Sequence, residues 1–349
     1  MAPTPAEEPT ATVTPPAEPI ELKVLFAGSL IIPFEALEKV FEAQYPEIDV
    51  LMEGHGSIQV IRHVTELGQL VDVAALADYT LVPSMMYEHA VPETGEPYAD
   101  WTIRFATNRM ALAYTDRSLY AEEVGEDNWY QVIARDDVRL GLSDPRFDAA
   151  GYRGLMALQL AEAAYGRVTI LENVLMGRFV NAITTQEEEG STAIQVPELL
   201  QPKPSSNIVI RSYSVQLIAL LQAGEIDYSF AYESVAKQHD LPYVVLPDSV
   251  NLGSEAYADE YGRVSVALEF QRFATVPPQF VGEVISYGIT IPSNAPHPEA
   301  AVKFVAFLLG PEGRAVMEAH QHPLLSRYQV DRPGNLPATL RGLVEATNE

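Results

Sequence analysis

The sequence predicts an α/β protein arranged in two blocks. Two observations carry this: short β-rich runs alternate with helix-periodic runs from Leu22 onward, and the 349 residues, 47% hydrophobic, suffice for two cores. In the first block ELKVLFA reads as a strand. PFEALEKVFEAQY reads as a helix with Phe34, Leu37, Val40 and Phe41 on one face, and Pro33 suits its first turn. IDVLME follows as a strand, GHG as a loop, and SIQVIRHVTELGQ as a helix with Ile58, Ile61, Val64 and Leu67 at helical spacing. VDVAAL closes a β-α-β-α-β series, which implies a mostly parallel sheet with right-handed crossovers. In the second block FATNRMALAYT (105–115) reads as one long strand and DNWYQVIAR as a helix. VRLGLSD, NIVIRSY and IDYSFAYES then read as strands, separated by the helices GYRGLMALQLAEAAYG and SVQLIALLQAG. Residues 167–206 lose the pattern and read as a surface excursion. EVISYGITIP and PEAAVKFVAFLLGPEGRAVMEAHQ resume strand and helix.

Composition excludes several function classes. The net charge of −26 argues against nucleic acid and anionic membrane surfaces as partners. It does not exclude an anionic ligand, because exposed charges are screened beyond about 8 Å while helix ends act at contact distance. Without cysteine there are no disulfides and no thiolate metal sites. No apolar run is long enough to span a membrane. Residues 1–20 hold six prolines and little to bury, which predicts a disordered tether. The chain is expected to be the mature form of an exported protein, anchored through a removed N-terminal segment, and monomeric.

Four strand-to-helix junctions carry a polar residue where a helix begins: Ser29 in AGS, Ser57 in GHGS, Asp148 ahead of Ala150 in SDPRFDAAG, and Ser214 in RSYS. A helix start offers unpaired N–H groups and about half a positive charge, so it seats anions. In open α/β sheets ligands sit beyond the carboxyl ends of strands, where all four junctions fall. Ser and Asp are also ordinary N-caps, and any single junction is more often a cap than a ligand site; two Gly-Ser junctions in the first block bring the two readings level. The residues alone therefore give a two-lobed α/β protein with candidate anion-binding helix starts, and leave the anion unnamed.

The ordered segments LFAGSL, EGHGSIQVIRHVTELG, VDVAALADYTLVPSMMY, WTIRFATNRMALAYT, SDPRFDAAGYRGLMALQLAE, GEIDYSFAYESVAKQH, LPDSVNL and YGITIPSNAP resemble the tungstate/molybdate-binding proteins of ABC importers, most closely the archaeal-type branch. The resemblance covers about residues 21–330 apart from 167–206. It implies a type II periplasmic-binding fold, with lobe 1 at 21–104 plus 287–349, lobe 2 at 105–286, and FATNRMALAY and ISYGITI as the crossing strands. It implies an extracytoplasmic, non-enzymatic protein that closes its lobes over an oxyanion and delivers it to a membrane permease. The site residues it implies are Ser29 and Ser57, backbone N–H groups at Ala150 and Ser214, and the hydroxyl of Tyr232. No cofactor is implied besides the tungstate or molybdate ligand.

The archaeal-type branch also brings an aspartate and a glutamate to the metal. Asp148 matches the aspartate, whereas Ser214 stands where the glutamate is expected, with Gln216 two residues on. Glu233, next to Tyr232, is the candidate substitute. Alternatives are another oxyanion (sulfate, phosphate or chromate) or a hydrolase using Ser29. The latter lacks the G-x-S-x-G elbow and a recognisable histidine base. His320 and His322 read as surface residues for want of a third ligand, and His55 as lining the cleft mouth beside Ser57. Arg62 and Arg153 read as partners of surface carboxylates, with Arg153 also placed to support the site from behind.

Overall fold

The computed structural model describes residues 18–269 and 279–347, so the expected tether lies outside the described residues through position 17. The alternation read in the first block folds as β1 (Ile20–Ala27), a 3-10 turn at Gly28–Leu30, α1 (Ile31–Gln44), β2 (Ile48–His55), α2 (Ser57–Thr65) and β3 (Val73–Leu76). β1 lies between β2 and β3 and is parallel to both. α1 buries Phe34, Leu37 and Phe41, and the rings of Phe34 and Phe41 meet Phe304 of the C-terminal helix Pro298–Leu309 (Phe41–Phe304 centroids 5.2 Å apart, edge-on). These contacts bind residues from the two ends of the sequence into one core. Two positions expected on the buried faces point outward instead: Val40 is 41% exposed, and Leu67, beyond the end of α2, is 68% exposed.

After β4 (Ile103–Thr107) the chain leaves this sheet. β5 (Met110–Tyr114), α3 (Trp129–Ile133), β6 (Leu140–Ser143), α4 (Ala149–Tyr165) and α5 (Ile170–Leu175) follow. Next come β7 (Thr184–Glu188), β8 (Ser191–Val196), β9 (Ile208–Arg211), α6 (Val215–Ala223), β10 (Tyr228–Tyr232), α7 (Glu233–Gln238) and β11 (Tyr243–Val245). β12 (Val264–Leu268) and β13 (Gln279–Val281) precede the return through β14 (Ser286–Thr290), β15 (Leu324–Val330) and β16 (Val344–Ala346). Three sheets result, ordered β16-β15-β4-β14-β3-β1-β2, β11-β5-β10-β6-β9 and β13-β12-β8-β7.

Three expectations are corrected here. The run 105–115 is two strands in different sheets, broken at Asn108-Arg109. Asn108 sends its amide to Ser234 Oγ (2.8 Å) and Tyr287 Oη (3.2 Å), and Arg109 accepts a bond from the Glu233 amide, so this polar pair is held between the sheets. The run ISYGITI does not itself cross. β14 pairs antiparallel with β3 and β4 inside the first sheet, and the passage precedes it, where Ile285 N–H bonds Leu252 O. Finally, 167–206 is no mere surface excursion. β8 buries Ile194 and Val196 and pairs in parallel with β12, a partner remote in sequence and invisible to local periodicity.

Candidate functional site

At none of the four junctions does a serine side chain cap its helix. Asp148 and Ser214 occupy the N-cap positions of α4 and α6 without a side-chain cap bond. Ser57 is the first residue of α2, behind Gly56 at the cap, and Ser29 lies in the 3-10 turn ahead of α1. Their polar atoms are engaged differently. Ser29 Oγ lies 2.8 Å from Tyr287 Oη, and Ser57 Oγ accepts the Ala77 N–H at 3.0 Å. Asp148 Oδ2 accepts from Ser143 Oγ (2.6 Å) and from the Ser214 N–H (2.8 Å), which ties the start of α4 to that of α6. None of the serines therefore caps a helix, while the Asp148 carboxylate lies close enough to the Ala150 N–H for that group to favour its ionised form.

The first-lobe and second-lobe helix starts meet face to face, and two glycines make this possible. A methyl group on Gly28 would lie 3.1 Å from the Tyr213 ring and 3.4 Å from Val215, at the entry to α6. A methyl group on Gly56 would overlap the Phe147 carbonyl and lie 3.2 Å from Asp148 Cβ, at the entry to α4. Both glycines serve close backbone approach rather than a left-handed turn. Ser29, Ser57, Asp148, Ala150, Ser214 and Tyr232 are all buried. Ala150 is the second residue of α4, where a backbone N–H has no acceptor within the helix.

Arg153 joins the two lobes beside these groups. Its Nη1 donates to Ala77 O (2.6 Å) and Tyr232 Oη (2.8 Å), and its Nη2 lies 3.3 Å from Asp78 Oδ2, which also accepts the Tyr152 hydroxyl. This buried position corrects the expectation that Arg153 pairs at the surface, while Arg62 does pair with Glu66 (2.8 Å). Burial holds the Tyr232 and Tyr287 phenols well above their ordinary pKa, so both remain hydroxyl donors. Burial likewise raises the Asp148 pKa, against the opposing hydrogen bonds from Ser143 and Ser214.

Two of the expected site groups have other partners in this structure. The Ser214 N–H is already given to Asp148. Glu233 is held by Arg109 (Nη2 to Oε1, 3.0 Å), Lys237 (2.8 Å) and Tyr243 (3.1 Å), so its carboxylate is occupied by cations instead of replacing the absent glutamate. His322 is fully buried, edge-on to Tyr287 at 4.7 Å, and burial pushes its pKa down to about 3. It is not the surface histidine expected. Ser29 bonds a phenol and not an imidazole, which removes the hydrolase arrangement. Sequence reasoning missed Tyr287, Asn108, Asp78 and Ser143. The one legible signal was the polar pair Asn108-Arg109 interrupting an apolar strand.

Comparison with known proteins agrees with this architecture. Residues 22–320 match the family model described as bacterial extracellular solute-binding protein. An uncharacterized solute-binding protein of Methanoculleus marisnigri is 40% identical over 94% of this chain and 88% of its own length. The molybdate/tungstate-binding protein WtpA of Thermococcus kodakarensis is 39% identical over 93% of this chain and 87% of its own. Among solved structures, the fold is similar to the periplasmic molybdate-binding protein of Azotobacter vinelandii (TM-score 0.54, 16% identity, 87% of this chain and 100% of that one). It is also similar to the sulfate-binding protein SubI of Mycobacterium tuberculosis H37Rv (TM-score 0.53, 12% identity, 89% and 88%). With its mixed α/β periplasmic-binding fold and its helix starts opposed across two lobes, this chain belongs to the extracellular solute-binding protein family, whose members bind solutes and do not catalyse.

Proposed function

We propose that the chain captures tungstate or molybdate between its lobes and delivers it to the membrane permease of an ABC importer. The observation that carries this reading is the set of three buried hydroxyls that shared neighbours draw together: Ser57 and Tyr232 through Ala77 and Arg153, and Ser29 through Tyr287, whose ring lies 6.0 Å from that of Tyr232. Ser57 Oγ accepts from Ala77 and Tyr232 Oη accepts from Arg153, which leaves each hydrogen to donate. Asn108 Nδ2 donates to Tyr287 Oη, and Tyr287 and Ser29 share a second bond in which either hydroxyl can donate; when Tyr287 donates, the Ser29 hydrogen is left for a ligand. Ala150 adds a helix-start N–H. Neutral, aimed donors suit a dehydrated dianion in a protein of net charge −26. The named function of the Thermococcus relative supports the choice of anion.

Asp148 is the one carboxylate among these groups, and its raised pKa keeps the cost of facing an anion down. With Ser214 in place of a second carboxylate, tetrahedral coordination of the metal by its own four oxygens is the expected geometry. Calorimetric titration with tungstate, molybdate, sulfate and phosphate tests the reading. Tungstate or molybdate is expected to bind with Kd below about 10 μM, roughly −7 kcal/mol. Tight binding of sulfate or phosphate alone would overturn it.

A further inference from the structure

A second cluster lies at the outer end of the junction that carries Ser57. Glu53 and His55 are two residues apart on β2, and alternation along a strand puts them on one face. His63, on α2, turns back onto them, with its ring 4.5 Å from that of His55 and tilted by 35°. One ligand atom from each of the three side chains lies within 4.8 Å of the other two. Two imidazoles bound to one ion through metal–nitrogen bonds of about 2.1 Å have ring centres roughly 4.5 Å apart at a right angle and about 5.2 Å apart at a tetrahedral angle, so the 4.5 Å found here is within a small adjustment of either.

The groups behind the cluster are arranged as metal ligands require. His63 Nδ1 lies 2.7 Å from Gln69 Oε1, an oxygen that can only accept, so Nδ1 carries the proton and the Nε2 lone pair is left for a metal. Lys23 Nζ lies 3.3 Å from Glu53 Oε2 and fixes the carboxylate, while Oε1 meets His55 Nε2 at 2.7 Å. A cation entering here takes the place of the proton shared between His55 and Glu53. All three ligands are partly exposed, so an ion reaches them without lobe opening.

We propose that Glu53, His55 and His63 form a binding site for a divalent transition cation of the zinc class. Two imidazoles and a carboxylate select such an ion over magnesium or calcium, which prefer all-oxygen sites. Three protein ligands leave an open position for water. The site braces β2 against α2 from outside and is separate from the oxyanion donors.

The test is zinc titration of tag-free, metal-stripped protein against a chromophoric chelator, with cobalt absorption as a second readout. One zinc per chain is expected, with Kd of about 1 μM or below. His55→Ala, His63→Ala and Glu53→Gln should each weaken it at least tenfold, and Gln69→Ala, which spares every ligand, by about tenfold. Millimolar magnesium should not compete. Circular dichroism identifies any variant that fails to fold, and Gln69→Ala with the cobalt spectrum then carries the test. Equal zinc affinity in wild type and the His55→Ala/His63→Ala double variant would overturn the proposal, as would absence of a tight wild-type site.

Discussion

A buried hydroxyl offers one hydrogen and two lone pairs, and what occupies the lone pairs decides where the hydrogen goes. At Ser57 and Tyr232 the protein supplies the donor, from Ala77 N–H and Arg153 Nη1. The hydrogen is then available to a ligand at no reorganisation cost. Hydrogen bonds to a charged partner contribute about 1.5–3 kcal/mol. Ser57→Ala and Tyr232→Phe are therefore expected to weaken tungstate binding roughly 10- to 100-fold, measured by competition calorimetry. An unchanged Kd in both would remove these hydroxyls from the site. The candidate serines were legible because Gly-Ser at a strand-to-helix junction is a local signature. Their partners were not, because Tyr287 reaches Ser29 and Ala77 reaches Ser57 from other elements of the fold.

At the scale of elements, the junctions themselves are the working parts. β1–α1 and β2–α2 of one lobe point their helix starts at those of α4 and α6 in the other, and the contact is close enough to exclude a β-carbon at Gly56. Gly56→Ala should leave both lobes folded, with unchanged circular dichroism, yet hold them apart. Tungstate affinity is expected to fall at least 100-fold, and small-angle scattering should show that ligand no longer compacts the protein. Retention of wild-type affinity would mean the lobes bind without this approach. Periodicity located β1 to β3 and their helices well, since each buries one face against a near neighbour. It missed the break at Asn108-Arg109 and the β7–β8 contribution to a third sheet, because both are set by partners distant along the chain.

At the scale of the whole molecule, charge is buried where the segment carrying Asp78 meets the helix carrying Arg153. Removing one member of a buried ion pair such as Arg153–Asp78 costs about 3–5 kcal/mol, because the other is left uncompensated. Two further groups, the fully buried His322 and the partly buried Glu283, give the fold opposite responses to pH. His322, with its pKa lowered to about 3 by burial, contributes stability that is present above the ordinary histidine value near 6.5 and is lost as pH falls towards 3. Glu283, raised to about 7 chiefly by burial and then by Asp78, contributes stability present below the ordinary glutamate value and lost as pH rises to about 7. Relative to His322→Gln, the wild type should lose about 3 kcal/mol between pH 7 and pH 4, read from denaturant midpoints at each pH. Glu283→Gln should remove the part of the pH dependence that runs the other way. A flat difference between wild type and His322→Gln would show that the imidazole is not held neutral.

By itself the sequence determined the α/β class, the strand-to-helix junctions and the residue types that stand at them. Those depend on hydrophobic period and turn chemistry, which act over a few residues. Only the tertiary structure decided which junctions face one another, that their serines do not cap, that Glu233 is held by arginine and lysine, and that His322 is buried. It also brought His63 to Glu53 and His55. Apart from Lys237 and His63, which lie within ten residues of their partners, these contacts join segments whose separation along the chain leaves no local trace, and burial changes both what a side chain can touch and what charge it can hold.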